Sequence, residues 1–280
     1  MKRILIVIAI TTALLTGCEK DIDVKVPDEE PKLVVEAYVN SFFPNLNYVL
    51  ITKTFSFQNP NFSFNGVSGA QVTITEGTIN GNDTIWNASK ILSEIPGNLL
   101  PGYYINPTLK GSEGKVYRLD INAGGKMVKG YTSIPKVVPV DSLTQEVRFE
   151  GNTPRYFLTV HVNEPSELGN NYQALYKVDA DSNLFAWGDI EGSGRALFND
   201  DVGNGVYRRF TYPGAFDLGD TLNYYFLTMD RKCYNFWESF DAARNNGGPF
   251  ATPVQLRSNI EGAIGSFTGY GAFYRRHIFN

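Results

Sequence analysis

The sequence predicts a mainly β protein that consists of two β-sandwich domains, with one short helix in the second domain. Three observations favour this class. Apolar and polar residues alternate with period two in many short segments, aromatic residues make up 14% of the chain, and 27 glycines supply turn positions. Immunoglobulin-like and transthyretin-like topologies both fit this pattern, and the sequence does not separate them.

The first domain is predicted over residues 32–138. In its opening strand, apolar residues occupy alternate positions from Leu33 to Val39. Gly124 and Gly125 indicate a two-residue hairpin turn. Further strands are predicted at 48–57, 70–76, 103–106, 116–123 and 127–134.

Residues 135–139 (PKVVP) predict a stiff connector, because each proline disfavours helix in the residue before it. The second domain is predicted over residues 139–280. Asp230 can cap a helix there, whose apolar stripe has helical spacing and consists of Cys233, Phe236, Trp237 and Phe240. Strands are predicted at 156–162, 172–178, 206–212, 222–229 and 264–270.

Residues 1–17 are similar to the signal peptide of a bacterial lipoprotein. Lys2 and Arg3 precede an apolar run of about a dozen residues, shorter than the roughly 20 that a membrane-spanning helix needs. The run ends in the sequence LTGC, which resembles a lipobox and places its cysteine at Cys18. We therefore expect removal of the signal and acylation of Cys18, which would anchor the chain to a membrane.

Residues 18–31 form a charged segment that is bounded by prolines and is typical of a flexible acidic tether. Without residues 1–17 the chain has 23 basic and 29 acidic residues, a formal net charge of −6. This balance argues against nucleic acid as a partner, because phosphates favour basic patches. With Cys18 acylated, Cys233 is the remaining thiol, so no internal disulfide is expected.

Two parts of the sequence carry a family resemblance. One is EPKLVVEAYV at 30–39, and the other combines NGGPF at 246–250 with SNIEG at 258–262 and GSFTGY at 265–270. Together they resemble an outer-membrane lipoprotein family of the Bacteroidota that is built on a domain of unknown function and commonly encoded beside TonB-dependent receptors. The resemblance implies an envelope location and such a receptor as partner, and it brings no catalytic residues.

Residues 18–23 (CEKDID) are similar to a signal that sends lipoproteins of this phylum to the cell surface, a lysine followed by acidic residues. Ile22 interrupts the acidic pair. We expect an outer-membrane protein exposed at the cell surface, with a periplasm-facing anchor as the alternative.

Candidate catalytic and metal-binding residues are few. His161 lies within a predicted strand, and no Gly-x-Ser-x-Gly motif supplies a nucleophile for it, so we interpret it as a hydrogen-bonded strand residue. His277 and Cys233 give no zinc spacing. The acidic segments 179–183 and 199–201 lack the pattern of a calcium loop and are interpreted as solvated turns. No metal, cofactor or catalytic residue is therefore predicted.

Trp86 and Trp187 are weak candidates for stacking against a ligand, whereas Trp237 belongs to the predicted apolar stripe of the helix. The glycine-rich segments 188–194 and 262–271 do not match a phosphate-binding loop. Instead, the second one indicates a strand that another part of the chain approaches closely.

The sequence thus predicts a non-enzymatic accessory or ligand-capturing lipoprotein that works with a TonB-dependent receptor in nutrient uptake. Three alternatives stay open. The first is a carbohydrate- or peptide-binding module that acts without a receptor. The second is a hydrolase that uses carboxylates, and the third is a structural component of the envelope.

Overall fold

The computed structural model describes residues 30–56, 64–96, 100–178, 195–201, 203–247 and 252–280. In these ranges the chain is mainly β, with sixteen strands, one α-helix and a short 3-10 helix at Pro44–Leu46, which confirms the predicted mainly β class with one helix. Residues 31–54 and 62–280 form one compact unit, described below. A second unit, 1–30 with 55–61, lies almost wholly outside the described residues.

Eight strands precede the proline-rich segment 135–139. They are β1 (Leu33–Asn40), β2 (Tyr48–Lys53), β3 (Gln71–Asn80), β4 (Asp83–Trp86), β5 (Lys90–Glu94), β6 (Tyr103–Ile105), β7 (Val116–Ala123) and β8 (Lys126–Ser133).

The remaining elements follow that segment. They are β9 (Ser142–Glu150), β10 (Thr153–Asn163), β11 (Asn171–Val178), β12 (Arg195–Asn199), β13 (Tyr207–Thr211), β14 (Thr221–Met229), α1 (Arg231–Arg244), β15 (Ile260–Glu261) and β16 (Ile264–Ile278).

The strands form two sheets. Thirteen belong to a large sheet with the order β12-β11-β14-β16-β1-β2-β6-β5-β3-β7-β8-β15, in which β4 pairs with β3 beside this path. The other three form a small sheet in the order β13-β10-β9. The hairpin turn predicted at Gly124 and Gly125 joins β7 to β8, and both glycines have positive φ.

Strand β16 changes its partner halfway along its length. Residues 264–270 pair in parallel with β1, and residues 271–278 pair antiparallel with β14. Strands from both predicted domains, 32–138 and 139–280, therefore belong to one sheet. The division of the chain between 138 and 139 stays a prediction.

Glycines in β16 make its change of partner from β1 to β14, referred to as the crossing of β16, sterically feasible. A Cβ on Gly269 would lie 2.4 Å from the Ser133 carbonyl oxygen, and one on Gly265 would lie 1.9 Å from the Val35 carbonyl oxygen. These positions admit no side chain unless the backbone moves. The close approach that the glycine spacing predicts for this strand is confirmed.

Buried apolar side chains form three clusters. The first is mainly aliphatic, comes from the strands before β9, and is completed by Ile260 and Phe267 from the end of the chain. The second lies around α1 and the third under the small sheet. Together they draw on residues from Leu33 to Phe279, so a chain without residues 1–18 retains every member of these clusters.

Strand β14 is covered on both faces. Residues 222–229 are all buried, which agrees with their nearly unbroken apolar sequence. Tyr224 and Phe226 contribute to the cluster under the small sheet, whereas Tyr225 and Leu227 contribute to the cluster around α1. The helix and the small sheet therefore pack on opposite faces of the large sheet.

Helix α1 begins as its sequence predicts. The Asp230 side chain accepts a hydrogen bond from the Cys233 backbone N–H at 2.9 Å, which is an N-cap contact. Cys233, Phe236 and Trp237 are buried against the sheet, and Phe240 is partly buried. No described helix combines the length and apolar character required to cross a membrane.

Candidate functional site

The outward face of β3, β4, β7 and β8 carries an aromatic and apolar surface. Side chains along β7 alternate between buried and half-buried, so Val116 and Arg118 point away from the core. Gly77 lies opposite Val116 and shares this face. Trp86 lies opposite Gly77. Tyr131 lies opposite Arg118, so the two aromatic rings stand on one sheet surface.

Trp86 is held in place by its neighbours. A Cβ on Gly77 would lie 2.7 Å from Trp86 Cε3, so the absence of a side chain there lets the indole approach β3. The Arg118 guanidinium lies 5.1 Å from the centre of the indole, and the Tyr131 ring centre lies 6.3 Å away. Arg118 is itself fixed by a 2.7 Å ion pair with Asp120. Trp86 remains half-buried and Tyr131 is exposed.

A cleft of about 430 Å³ opens between this surface and the first turn of α1. Such a volume lies within the roughly 300–1,000 Å³ of small-molecule sites. Its apolar side consists of Ile79, Trp86, Val116, Tyr117 and Tyr131. Its polar side consists of Thr84, Thr132, Ser133, Asp230, Arg231 and Lys232.

Asp230 joins the helix to the sheet at this cleft. One carboxylate oxygen accepts from the Cys233 N–H, and the other accepts from the Thr132 hydroxyl at 3.0 Å and the Ser133 N–H at 2.9 Å. Both oxygens are therefore engaged. The residue positions the helix and has little capacity left for a ligand.

The two basic residues of the first helical turn differ in their partners. Arg231 forms two hydrogen bonds with the Asp201 carboxylate, at 2.7 and 3.1 Å, and this contact lowers the pKa of Asp201. Lys232 is exposed and has no hydrogen bond or ion pair within the described ranges. Among the described residues that line the cleft, Lys232 is thus the cation that is available to contact a ligand.

A second cleft of about 370 Å³ adjoins the first, and Lys232 lines both. Its walls are mostly polar and include Asn235, Arg257, Ser258, Asn259 and Glu261. Arg257 contacts Glu238 at 3.2 Å. Lys232 therefore borders both an aromatic cavity and a polar cavity, and the polar one also contains a carboxylate.

The three tryptophans have different positions. Trp86, a weak stacking candidate, lines the aromatic cleft. Trp187, the other candidate, lies outside the described residues. Trp237 is buried, and its indole N–H donates to the Thr268 hydroxyl at 3.2 Å, so its predicted core position is confirmed.

In the described part of the chain, His161, His277 and Cys233 are not grouped into a catalytic arrangement. His161 contacts the Thr144 hydroxyl at 2.8 Å and the Tyr207 hydroxyl on the small sheet. Burial lowers the pKa of His277, and burial followed by the Asp230 charge raises the pKa of the Cys233 thiol. A thiol held protonated in this way is a poor nucleophile.

The predicted solvated turn at 199–201 is wrong for Asp200. This side chain is only 1% exposed, and one carboxylate oxygen accepts from the N–H groups of Gly169 and Asn170 at 2.7 and 2.8 Å. Asp200 therefore stabilises a loop. The segments 179–183 and 188–194 lie outside the described residues. No group of three or more potential metal ligands occurs in the ranges that the structure covers.

Sequence reasoning missed Tyr131 and Lys232 as site residues. Tyr131 lies at an outward position of β8, where outward side chains alternate with buried Val128, Gly130 and Thr132. Its face could therefore have been identified from the period of two along the strand. Lys232 gives no such signal. Its importance depends on where the helix begins relative to β4, which the sequence does not show.

The described residues thus define a mainly β protein with one packed helix and an aromatic cleft at the start of that helix. The chain belongs to the family described as a domain of unknown function (DUF4249), which matches residues 19–276. A search of curated proteins finds no match.

One solved structure is similar to the chain at a low level. Its description is "Cytokine receptor complex - Crystal form 1A", with 14% sequence identity, coverage of 88% of this chain and 95% of that chain, and a TM-score of 0.27. A likeness of this degree carries no argument about fold or function.

Proposed function

We propose that this protein is a non-enzymatic, lipid-anchored accessory lipoprotein of the outer membrane that captures a ligand and works with a TonB-dependent receptor in nutrient uptake. The observation that carries ligand capture is the aromatic cleft beside Trp86 and Tyr131. Exposed aromatic side chains around a concave site are typical of ligand binding, because they bury much area with little loss of conformational freedom.

The anchor rests on the lipobox-like sequence that ends at Cys18. Substitution Cys18→Ser should abolish incorporation of a fatty-acid probe and cause the precursor with residues 1–17 to accumulate. Cys233→Ser is the matched control and should retain full labelling, because that thiol is buried. Unchanged labelling of Cys18→Ser would contradict the anchor.

Surface display rests on the lysine and acidic residues that follow Cys18. A protease added to intact cells should degrade the protein without lysing the cells. Degradation that requires permeabilised cells would instead favour the periplasm-facing orientation.

The receptor partnership is supported by the family resemblance of the two end motifs. A lipid anchor confines the protein to two dimensions and raises its effective concentration near a membrane partner. A tagged protein isolated from native membranes in mild detergent should therefore bring a TonB-dependent receptor with it. Absence of such a receptor from repeated isolations, with the lipoprotein intact, would contradict the partnership.

A receptor-independent carbohydrate- or peptide-binding module is the second candidate, and the half-buried position of Trp86 favours it. The two candidates predict different outcomes when the receptor gene is deleted. Loss of ligand uptake with retained ligand binding supports the accessory function, whereas an unchanged cellular response to the ligand supports the independent module.

We also propose that residues 32–138 and 139–280 are two β-sandwich domains. Support comes from the first and third clusters, one drawn mainly from residues 33–134 and the other from residues 138–279, whereas the second cluster draws on both ranges. Brief proteolysis should then cut first within 135–139. Cutting inside either sandwich at equal rates would argue against this division.

A further inference from the structure

We propose that the aromatic cleft binds a small anion with a flat apolar ring, the ring lying beside Trp86 and Tyr131 and the anionic group at Lys232. This inference rests on the proposed function and names the ligand class of the same cleft.

The shape of the site favours a flat ring. Trp86 and Tyr131 lie 6.3 Å apart with their planes inclined by 48°, and Ile79 and Val116 extend the apolar side. Arg118 contacts the indole but is not part of the cleft wall, so the indole surface that faces the cleft stays open. A ring placed there contacts aromatic and aliphatic groups together.

One cation of the site is available to an anion. The Asp230 carboxylate accepts from three donors of the helix and sheet, and Arg231 is paired with Asp201. Among the charged residues that line this cleft, Lys232 has no ion pair with any described residue, so its ammonium group is the one that can contact an anionic ligand. A carboxylate near its ammonium group gains a charge-assisted hydrogen bond, which is stronger than a neutral one.

Two hydroxyl groups that line the site are already engaged. The Thr132 hydroxyl donates to Asp230 and accepts from the Gly269 N–H. The Tyr117 hydroxyl donates to Glu76 and accepts from the Ser112 N–H. A saccharide would therefore have to rely on Thr84, Ser133 and Tyr131 for its hydroxyl contacts. A flat apolar ring instead uses the aromatic and aliphatic side of the cleft, so a saccharide is the competing ligand in the experiment below.

The polar cleft on the far side of Lys232 can accept the rest of such a ligand. Asn235, Ser258 and Asn259 lie along it together with the Glu261 carboxylate, so a neutral or cationic polar substituent would be accepted there and a second anionic group would be repelled. The arrangement predicts a ligand with an apolar end, one anionic group and an uncharged or basic polar end.

The probe experiment uses three compounds and the chain without residues 1–18, which retains all three core clusters. 2-Naphthoate supplies the ring and the charge, 2-naphthamide supplies the ring alone, and glucuronate supplies the charge on a saccharide. Titration calorimetry and tryptophan fluorescence should show binding of 2-naphthoate at least about fivefold tighter than 2-naphthamide, as expected for one charge-assisted contact. Glucuronate should bind more weakly than 2-naphthoate.

Variants locate the binding site. Lys232→Gln should reduce 2-naphthoate affinity to that of 2-naphthamide, and Trp86→Ala should weaken both compounds. Lys126→Gln, at the exposed start of β8, and Phe149→Ala, 71% exposed on β9, are matched controls and should change neither affinity. Lys232 is exposed, so its variant should fold, and circular dichroism checks this for each protein.

Three results would overturn the proposal. They are equal affinity for 2-naphthoate and 2-naphthamide, tighter binding of glucuronate, or no binding of any probe. None of these touches the receptor partnership, which depends on isolation from native membranes. Conversely, a protein that binds 2-naphthoate as expected but never co-purifies with a receptor would retain the ligand class and lose the accessory function.

Discussion

The crossing of β16 and the aromatic cleft both adjoin the first turn of α1, but one has no room for an added atom and the other does. At Gly265 and Gly269 a single Cβ would meet backbone atoms within 2.4 Å. At the cleft, about 430 Å³ of space separates Trp86 from the first turn of α1. Tight packing in one region fixes the position of the helix, and this allows the other region to stay open without collapsing.

This difference distinguishes the residues that determine the stability of the fold from the residues that can bind a ligand. Residues at the crossing have no alternative arrangement, so substitution there should unfold the protein before it alters any interaction. Trp86, Tyr131 and Lys232 at the cleft are exposed or half-buried, so substitution of these residues should affect a ligand much more than the fold. The predictions below test this contrast, and all use urea or thermal unfolding of the chain without residues 1–18.

The largest difference in the free energy of unfolding is expected when a tryptophan is replaced by alanine in each of the two regions. Trp237→Ala should lower the free energy of unfolding by about 3–5 kcal/mol, because it removes a buried indole and its hydrogen bond to Thr268. Trp86→Ala should lower it by about 1 kcal/mol, because that side chain is only half-buried. Equal losses would mean that the cleft is part of the core.

Gly269→Ala should lower the free energy of unfolding by about 3 kcal/mol, because the new methyl group overlaps the Ser133 carbonyl. Gly247→Ala is the matched control, since no atom of the described residues lies within 4 Å of a Cβ there. It should change stability by less than about 0.5 kcal/mol. An unchanged free energy of unfolding for Gly269→Ala would show that β16 and β8 can move apart at this point without loss of stability.

Asp230→Ala should lower the free energy of unfolding by about 2 kcal/mol. The substitution removes the helix cap and leaves the Ser133 N–H and Thr132 hydroxyl without their acceptor. Asp230→Asn keeps a capping oxygen and should restore about half of the loss. No difference between the two variants would indicate that the carboxylate acts only through its charge.

His277, near the end of β16, should make stability depend on pH. Burial lowers its pKa, and its Nε2 has no hydrogen-bond partner. Below the ordinary histidine pKa, the unfolded chain binds a proton at His277 more readily than the folded chain does. The stability that neutral His277 contributes to the folded state is therefore fully present above the ordinary histidine pKa and is lost as the pH falls through the lowered pKa. Melting temperatures from pH 7.5 to 5 should fall less steeply for His277→Gln than for the unsubstituted protein.

The smallest effect on stability is expected at the cleft mouth. Lys232→Gln should change the free energy of unfolding by less than about 0.5 kcal/mol, because the side chain is exposed. A larger loss would mean that Lys232 supports the fold, and its proposed role toward a ligand would then be weakened.

Much of the fold follows from local sequence pattern. Period two identified β1 and β7, and Asp230 with its apolar stripe identified the helix. The strands that the pattern missed, β4, β5, β9, β12 and β15, are short or largely exposed, so their alternation is weak. The parallel pairing of β1 with β16 was not predictable, because no local signal relates residues so distant in sequence.

The candidate site was predictable only in part. Trp86 stood out as an aromatic residue without a place in a helix stripe, and it does line a cleft. Lys232 joins it only because α1 starts next to β8, through the contacts of Asp230 with Thr132 and Ser133. Long-range packing of this kind is absent from the spacing of residues along the chain.

The parallel pairing of the first strand with the last has a consequence for biogenesis. Val34 and Ile264, 230 residues apart, lie side by side, and Phe267 fills the core of the N-terminal strands. On the proposed export route the chain crosses a membrane unfolded, so β1 cannot complete this edge until residues 264–270 have also been made and translocated. An uncovered strand edge invites association with other chains. We expect a chain cut short before Ile264 to keep that edge open and therefore to aggregate or be degraded.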